Sequence, residues 1–282
     1  MPRCACWLLG VVLLLPSCSA VEPEKNLTPP FQLTADDEKN VDRLLARWEQ
    51  WNAATKTFEC RFKRWTYDGV FGRPDAPKFV DLGIIQYAAP DRGLYRVDVT
   101  EEGGKQKAIG DDRAEQWIFT GRSIVEYNYK SRRVIEHRLP LDSKKSPTIH
   151  GPLTISFPHP IVLFGMEMQW SVLVPFADKA ETLKKHYYVR EVTPAKAKDE
   201  IWLEAYPRTS QGGKFQLICR AKDMTPVALK LCEPNGSSSV VYQFYDVKMN
   251  DPKSPGDDPF QPPIPKGWMK IVDEPASTKR AN

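Results

Sequence analysis

The side chains best able to do chemistry are few and scattered along this sequence. The four histidines are His137, His150, His159 and His186, and no two share the spacing with which one helix or one hairpin presents a pair of zinc ligands. There is no nucleophile elbow, no glycine loop that would cradle a phosphate and no zincin motif. Triads are recognised by geometry rather than by order, so distant strands can still assemble one. The residues themselves give no catalytic constellation, no metal site and no cofactor motif. The expectation is a protein that is not an enzyme.

The six cysteines divide into two groups. Cys4, Cys6 and Cys18 stand near the start; Cys60, Cys219 and Cys232 belong to the body of the chain. Cys219 and Cys232 would bridge neighbouring strands in an oxidising compartment, while three small thiols packed in a sheet is an equal alternative.

The first 20 residues read as an export signal. Arg3 precedes an apolar run from Trp7 to Leu15, which ends at Pro16 and the small residues Ser17, Ser19 and Ala20. A membrane-spanning helix needs roughly 20 apolar residues, which this run lacks. Two processing sites fit. Cleavage after Ala20 leaves a soluble product, whereas Leu15-Pro16-Ser17-Cys18 resembles the bacterial lipobox, in which the cysteine is acylated. Either way the expected location is extracytoplasmic: periplasm or outer membrane, or secreted. An acylated Cys18 adds membrane association without a spanning helix.

Charge excludes one partner class. Forty basic residues against 36 acidic ones give a formal net charge of +4, far from the basic stripe that nucleic-acid binding requires.

Behind the leader, residues 21–33 are rich in proline and read as a linker. Thr34 then offers an N-cap, acidic residues fill the next turn, and Val41, Leu44, Leu45, Trp48 and Trp51 recur at helical spacing. From Thr57 the period becomes two, with Phe58, Cys60 and Phe62 on one face and Glu59, Arg61 and Lys63 on the other. The alternation predicts strands at about 80–88, 92–100, 115–120, 123–129 and 132–139. Between Pro140 and Lys185 prolines punctuate a very apolar stretch, which predicts short helices at about 160–167 and 176–185. Strands resume at about 186–193, 199–206, 213–221, 225–233 and 237–248. Residues 251–282 read as a proline-rich surface tail.

This order predicts one mainly β (α+β) domain over residues 34–250. A large antiparallel sheet curls into an incomplete β-barrel, with the N-terminal helix and the inserted helices covering its open side. Candidate residues for an apolar interior are Phe58, Phe62, Tyr95, Trp117, Phe119, Tyr127 and Trp202. Phe157, Leu163, Phe164 and Trp170 would gate it. An apolar sheet face is more often plain core.

Several stretches echo a known family. Gly83-Ile84-Ile85-Gln86-Tyr87-Ala88-Ala89-Pro90-Asp91 with Tyr95-Arg96-Val97-Asp98 resembles a "G-x-x-x-y-x-x-P … R-x-d" strand pair. Phe119-Thr120-Gly121-Arg122-Ser123-Ile124-Val125-Glu126-Tyr127 is similar to a "d-G-k-x-x-w-x-Y" hairpin. Trp202-Leu203-Glu204-Ala205-Tyr206-Pro207 looks like "w-x-l-x-L-x-P", and Asp258-Pro259-Phe260 with Pro265-Lys266-Gly267-Trp268 like a closing "F-x-x-x-x-P-x-G". In this order they resemble the LolA-like superfamily of periplasmic lipoprotein carriers and outer-membrane lipoprotein-sorting proteins. Tyr67-Asp68-Gly69-Val70-Phe71-Gly72 looks closer still to a planctomycete-type branch with no assigned activity. The resemblance implies a half-barrel that shelters lipid or lipoprotein acyl chains, as carrier or receptor. A sensor or protein-interaction domain of the same fold, with a filled core and an envelope protein as partner, is the alternative. The proline-rich insert and the long tail depart from the carriers' pattern.

Overall fold

The computed structural model describes residues 27–138 other than 71, 74 and 112. It also describes the short segments 148–151, 154–156, 161–163 and 166–168, and residues 179–273 other than 210–212, 235 and 254–257. Helix α1 (Ala35–Ala54) starts where its cap predicts. The Thr34 hydroxyl accepts from the Asp37 amide at 3.2 Å, and the Asp37 carboxylate accepts from the Thr34 amide at 3.0 Å. These two bonds satisfy donors that a helix start would otherwise leave bare.

Seven strands follow: β1 (Thr57–Asp68), β2 (Phe79–Ala88), β3 (Arg92–Glu102), β4 (Lys105–Ala108), β5 (Glu115–Thr120), β6 (Ser123–Asn128) and β7 (Arg133–Arg138). Four short ones come next, β8 (Thr148–Gly151), β9 (Thr154–Ser156), β10 (Ile161–Leu163) and β11 (Met166–Met168), paired as two separate hairpins. Helix α2 (Ala180–His186) then runs straight into β12 (Tyr187–Glu191). The chain continues through β13 (Glu200–Pro207), β14 (Phe215–Arg220), β15 (Pro226–Cys232), β16 (Ser238–Met249) and β17 (Met269–Asp273).

Thirteen strands form one sheet in the order β12-β13-β14-β15-β16-β1-β2-β3-β5-β6-β7-β17, with β4 beside β3. Its pairings are antiparallel except for β17, which lies parallel to β7. The end strands β12 and β17 do not pair with each other, so the sheet is open: an incomplete barrel with helices. Each strand expected from alternation forms, within two residues at either end.

Three features differ from expectation. The helix anticipated over 160–167 is instead the β10–β11 hairpin, with Leu163 paired to Met166. Two β-branched residues at 161 and 162 favour strand, and Gly165 disfavours helix. Strand β4 has no alternation to betray it, since all four side chains are exposed. What makes it is the Gly103-Gly104 turn, both residues at positive φ, the conformation a tight hairpin needs. Strand β17 lies in the stretch read as a tail, where five residues find an edge to join.

The sheet buries both faces, by different means. On the inner face, α1 lays Val41, Leu44, Leu45, Trp48 and Trp51 against Phe58, Cys60, Phe62, Leu203, Leu217 and Phe244. Trp48 stacks on Trp51 at 4.9 Å, and Trp51 meets Phe58 edge-on at 5.9 Å. Across β2 to β7 the outer face is buried too: Ala88, Leu94, Ile118, Val125, Tyr127 and Val134 cluster with Phe260, and Trp268 packs against them. The Tyr127 hydroxyl donates to the Pro263 carbonyl at 2.8 Å, tying residues 258–268 across that face. This two-sided burial explains why β6 has five buried residues in succession.

Candidate binding cleft

The aromatic residues expected to line one interior fall on two faces. Phe58, Phe62 and Tyr95 lie on the inner face within the core that α1 fills, and Phe62 stacks on Tyr95 at 5.3 Å. Both phenylalanines are wholly buried. Trp117, paired with Tyr95, and Phe119 are buried on the same face. Tyr127 belongs to the outer-face cluster. Trp202 is half-buried and also faces outward, between inward-facing Ile201 and Leu203, its indole N–H donating to Glu200 at 2.7 Å. Leu163 sits in β10. Phe157, Phe164, Trp170 and Cys18 lie outside the described residues.

Where β1 runs past Phe62, its inner face turns from apolar to charged. Arg64 donates to Asp81 at 2.9 Å, to both oxygens of Glu115 at 3.0 Å, and to the Tyr95 hydroxyl at 2.9 Å. Arg113 reaches the other Asp81 oxygen at 3.2 Å and the Thr100 hydroxyl at 2.8 Å. Two arginines and two carboxylates balance, and the geometry gives each a partner. Such a cluster closes one end of the core without an unpaired charge.

Cys219 and Cys232 are free, as is Cys60. Cys219 faces the core, while Cys232 follows inward-packed Leu231 and so points to the other face, which no bridge could span. Burial pushes the Cys60 and Cys219 thiols up, away from reactive thiolate. Among the described residues, no group of three or more His, Cys, Asp and Glu side chains is placed to hold a metal ion.

An open site does exist at the β12 end of the sheet. Residues 27–33, within the stretch read as a linker, are tied to the domain: the Leu27 amide donates to the Arg208 carbonyl at 2.6 Å, and the Tyr188 hydroxyl donates to the Leu27 carbonyl at 2.9 Å. Phe31 lies 4.7 Å from the Arg190 guanidinium and meets the Tyr206 ring edge-on at 5.8 Å. Between this segment, α1 and β12 lies a cleft of about 580 Å³.

Alternation along β12 decides what the cleft contains. Tyr187 and Val189 turn toward the core, and Val189 is buried. Tyr187 packs edge-on against Phe215 at 4.9 Å, and burial pushes its phenol up to about 12. With Phe31, Leu33 and Val41 they make apolar walls. Lys184, Arg208 and Glu38 also line the cleft. Lys184 is paired with Asp42 at 2.5 Å. The Arg208 guanidinium lies over the Tyr188 ring at 4.0 Å, and its Nε donates to the Lys184 carbonyl at 2.7 Å.

None of these cleft residues stood out in the sequence as part of a site. The available signals were Phe31 and Leu33 in a polar stretch, and the adjacent Tyr187 and Tyr188 at a strand start. Nothing local connects residue 31 with residue 208.

No family model and no curated protein matches the chain. Among solved structures it is similar to a chain of the Pseudomonas aeruginosa MucA/MucB complex, at 14% identity and TM-score 0.39, over 79% of this chain and 61% of that one. It is also similar to an uncharacterized conserved protein from Thermus thermophilus, at 12% identity and TM-score 0.42, over 83% and 99%. A third is a LolA superfamily protein from Nitrosomonas europaea, at 10% identity and TM-score 0.32, over 75% and 94%.

Proposed function

We propose that this protein is an extracytoplasmic, non-enzymatic binding protein that holds the acyl chain of an amphipathic ligand in the cleft between residues 27–33, α1 and β12. One observation carries the reading: an open cleft of about 580 Å³ with Phe31, Leu33, Val41, Tyr187 and Val189 as walls and charged side chains beside them. Its size falls among small-molecule sites, which run from about 300 to 1,000 Å³. A trough that is apolar within and charged at its border suits one hydrocarbon chain with a polar head. The leader expected over residues 1–20 supports the location. No described helix is long and apolar enough to cross a membrane. An acylated Cys18 would keep the protein at a membrane as a receptor, and cleavage after Ala20 would free it as a carrier.

Titration with saturated fatty acids of increasing length, read by displacement of a fluorescent probe, tests this. Each buried methylene contributes about 0.8 kcal/mol, so affinity should rise roughly fourfold per carbon until the cleft is full. A protein that displaces no probe for any chain, and carries no lipid in native mass spectrometry, rejects the reading.

A second reading has its own observation. The Arg208 amide bonds the His186 carbonyl and the Val192 amide bonds the Trp202 carbonyl, so the even-numbered residues of β12 bond β13. Val189 and Glu191 therefore turn their backbone groups to the sheet's open edge, beside the cleft. An extended peptide could pair there. An envelope extract that returns one stoichiometric protein and no lipid would favour this reading over the first.

A further inference from the structure

We infer that the ligand's head group is anionic, a carboxylate or phosphate, and that Arg208 binds it; this rests on the acyl-chain reading of the same cleft.

Arg208, one residue past the end of β13, is bonded through both its backbone and its side chain. Its amide donates to the His186 carbonyl at 2.8 Å and its carbonyl accepts from Leu27 at 2.6 Å. The guanidinium lies over Tyr188, and Nε is committed to the Lys184 carbonyl. The two terminal nitrogens are a different matter. Arg64 and Arg113 reach carboxylates at 2.9 and 3.2 Å, and Arg190 reaches Glu204 at 2.6 Å. Among the described residues, the terminal nitrogens of Arg208 reach no carboxylate. Here is a charged fork with open donors, lining a cleft with apolar walls.

That arrangement selects for an anion. The planar fork matches the paired oxygens of carboxylate and phosphate. Its Nε bond and its contact with Tyr188 restrict the side chain before any ligand binds, so less entropy is lost on binding. The other charges at the cleft do not compete. Lys184 is already paired with Asp42, which offsets part of its charge. Glu38 is exposed in the first turn of α1, where the helix's amide end favours its charge without a ligand. Among the described residues, no ion pair joins Glu38 to Arg208 or to Lys184.

The test uses four amphiphiles with matched sixteen-carbon chains: palmitate, palmitoyl lysophosphatidate, monopalmitin and hexadecyltrimethylammonium. Displacement titrations on the full chain should show the two anions binding about tenfold tighter than neutral monopalmitin, and the cation weakest. The ratio between palmitate and lysophosphatidate tells a carboxylate from a phosphate. In R208Q the ratio of anion affinity to monopalmitin affinity should fall to near one. R208K, which keeps the charge but not the fork, should recover part of the preference, and its melting curve checks that the fold is intact. Equal binding of anions and monopalmitin by the native protein overturns the inference and leaves the acyl reading standing. So does a preference for the cation, or a preference for anions that survives in R208Q. If none of the four binds, the acyl reading falls and this inference falls with it.

Discussion

Arg64 and Asp81 face each other across the β1–β2 pairing, their side chains 2.9 Å apart on the sheet's inner face. Asp81 is 2% exposed and Arg64 11%, so removing Arg64 leaves Asp81, in a dry place, with only its longer bond to Arg113. Breaking such a pair costs about 3–5 kcal/mol. R64M should therefore lower unfolding stability by about that amount in urea, followed by tryptophan fluorescence. The double variant R64M/D81L should lose less than R64M alone. A loss well below that range in R64M would mean that Arg113 alone satisfies Asp81.

Phe260 should anchor the segment that crosses the outer face. It is 4% exposed among Leu94, Ile118 and Val134, with the Arg92 guanidinium 5.1 Å from its ring. F260A is expected to cost about 3 kcal/mol, at the low end for a buried phenylalanine because the site can partly collapse. Ile264, four residues on and half exposed, is the control, and I264A should stay within about 0.5 kcal/mol. Equal effects from the two variants would refute the anchoring role.

His137 links β6, β7 and β17 and should make the β17 edge dependent on pH. Its Nε2 lies 3.6 Å from the Glu126 carboxylate, an ion-pair distance, and its Nδ1 lies 3.1 Å from Asp273. Glu126 first, then Asp273, raise its pKa above the ordinary 6.5 against the opposing effect of burial. A group whose pKa is raised by folding stabilises fully below the unfolded value, and that contribution fades as pH rises through the folded value. The melting-temperature gap between the native protein and H137Q should be widest at about pH 5.5 and nearly closed at about pH 9. A gap that widens with pH would contradict the assignment.

Tyr188, which also lines the cleft, should matter to ligand binding by supporting the Arg208 guanidinium. Y188A removes the ring beneath the guanidinium, a contact worth roughly 0.5–1 kcal/mol at a partly exposed position, so palmitate should bind about threefold more weakly. Y188F keeps the ring and loses only the bond to Leu27. Its palmitate affinity should match the native protein in the same displacement titration. If Y188F is as weak as Y188A, the tie to residues 27–33 governs binding instead.

The strands and α1 were legible because their causes are local. Thr34 and Asp37 cap α1 with their own side chains, and Phe58, Cys60 and Phe62 mark one face of β1 within five residues. Alternation also implied antiparallel neighbours joined by short turns, hence an open, mainly β sheet. Where local chemistry pointed elsewhere or was silent, as at residues 161–168 and in β4 and β17, the reading missed.

Alternation states which side chains share a face within a strand; it does not state what covers that face. Trp117 and Tyr127 both look like interior aromatics, yet one lies on the inner face and the other under Phe260 on the outer face. The cleft shows the same limit. Phe31 and Leu33 come from a proline-rich stretch, Val41 from α1, Tyr187 and Val189 from β12, and Arg208 from just past the end of β13. By itself the sequence determined α1, the alternating strands and their order, all of which depend on neighbours a few residues apart. Only the tertiary structure decided that α1 fills the inner face and that the open space lies beside β12. Those outcomes depend on pairings between residues far apart in the chain, such as Leu27 with Arg208, and no local periodicity encodes them.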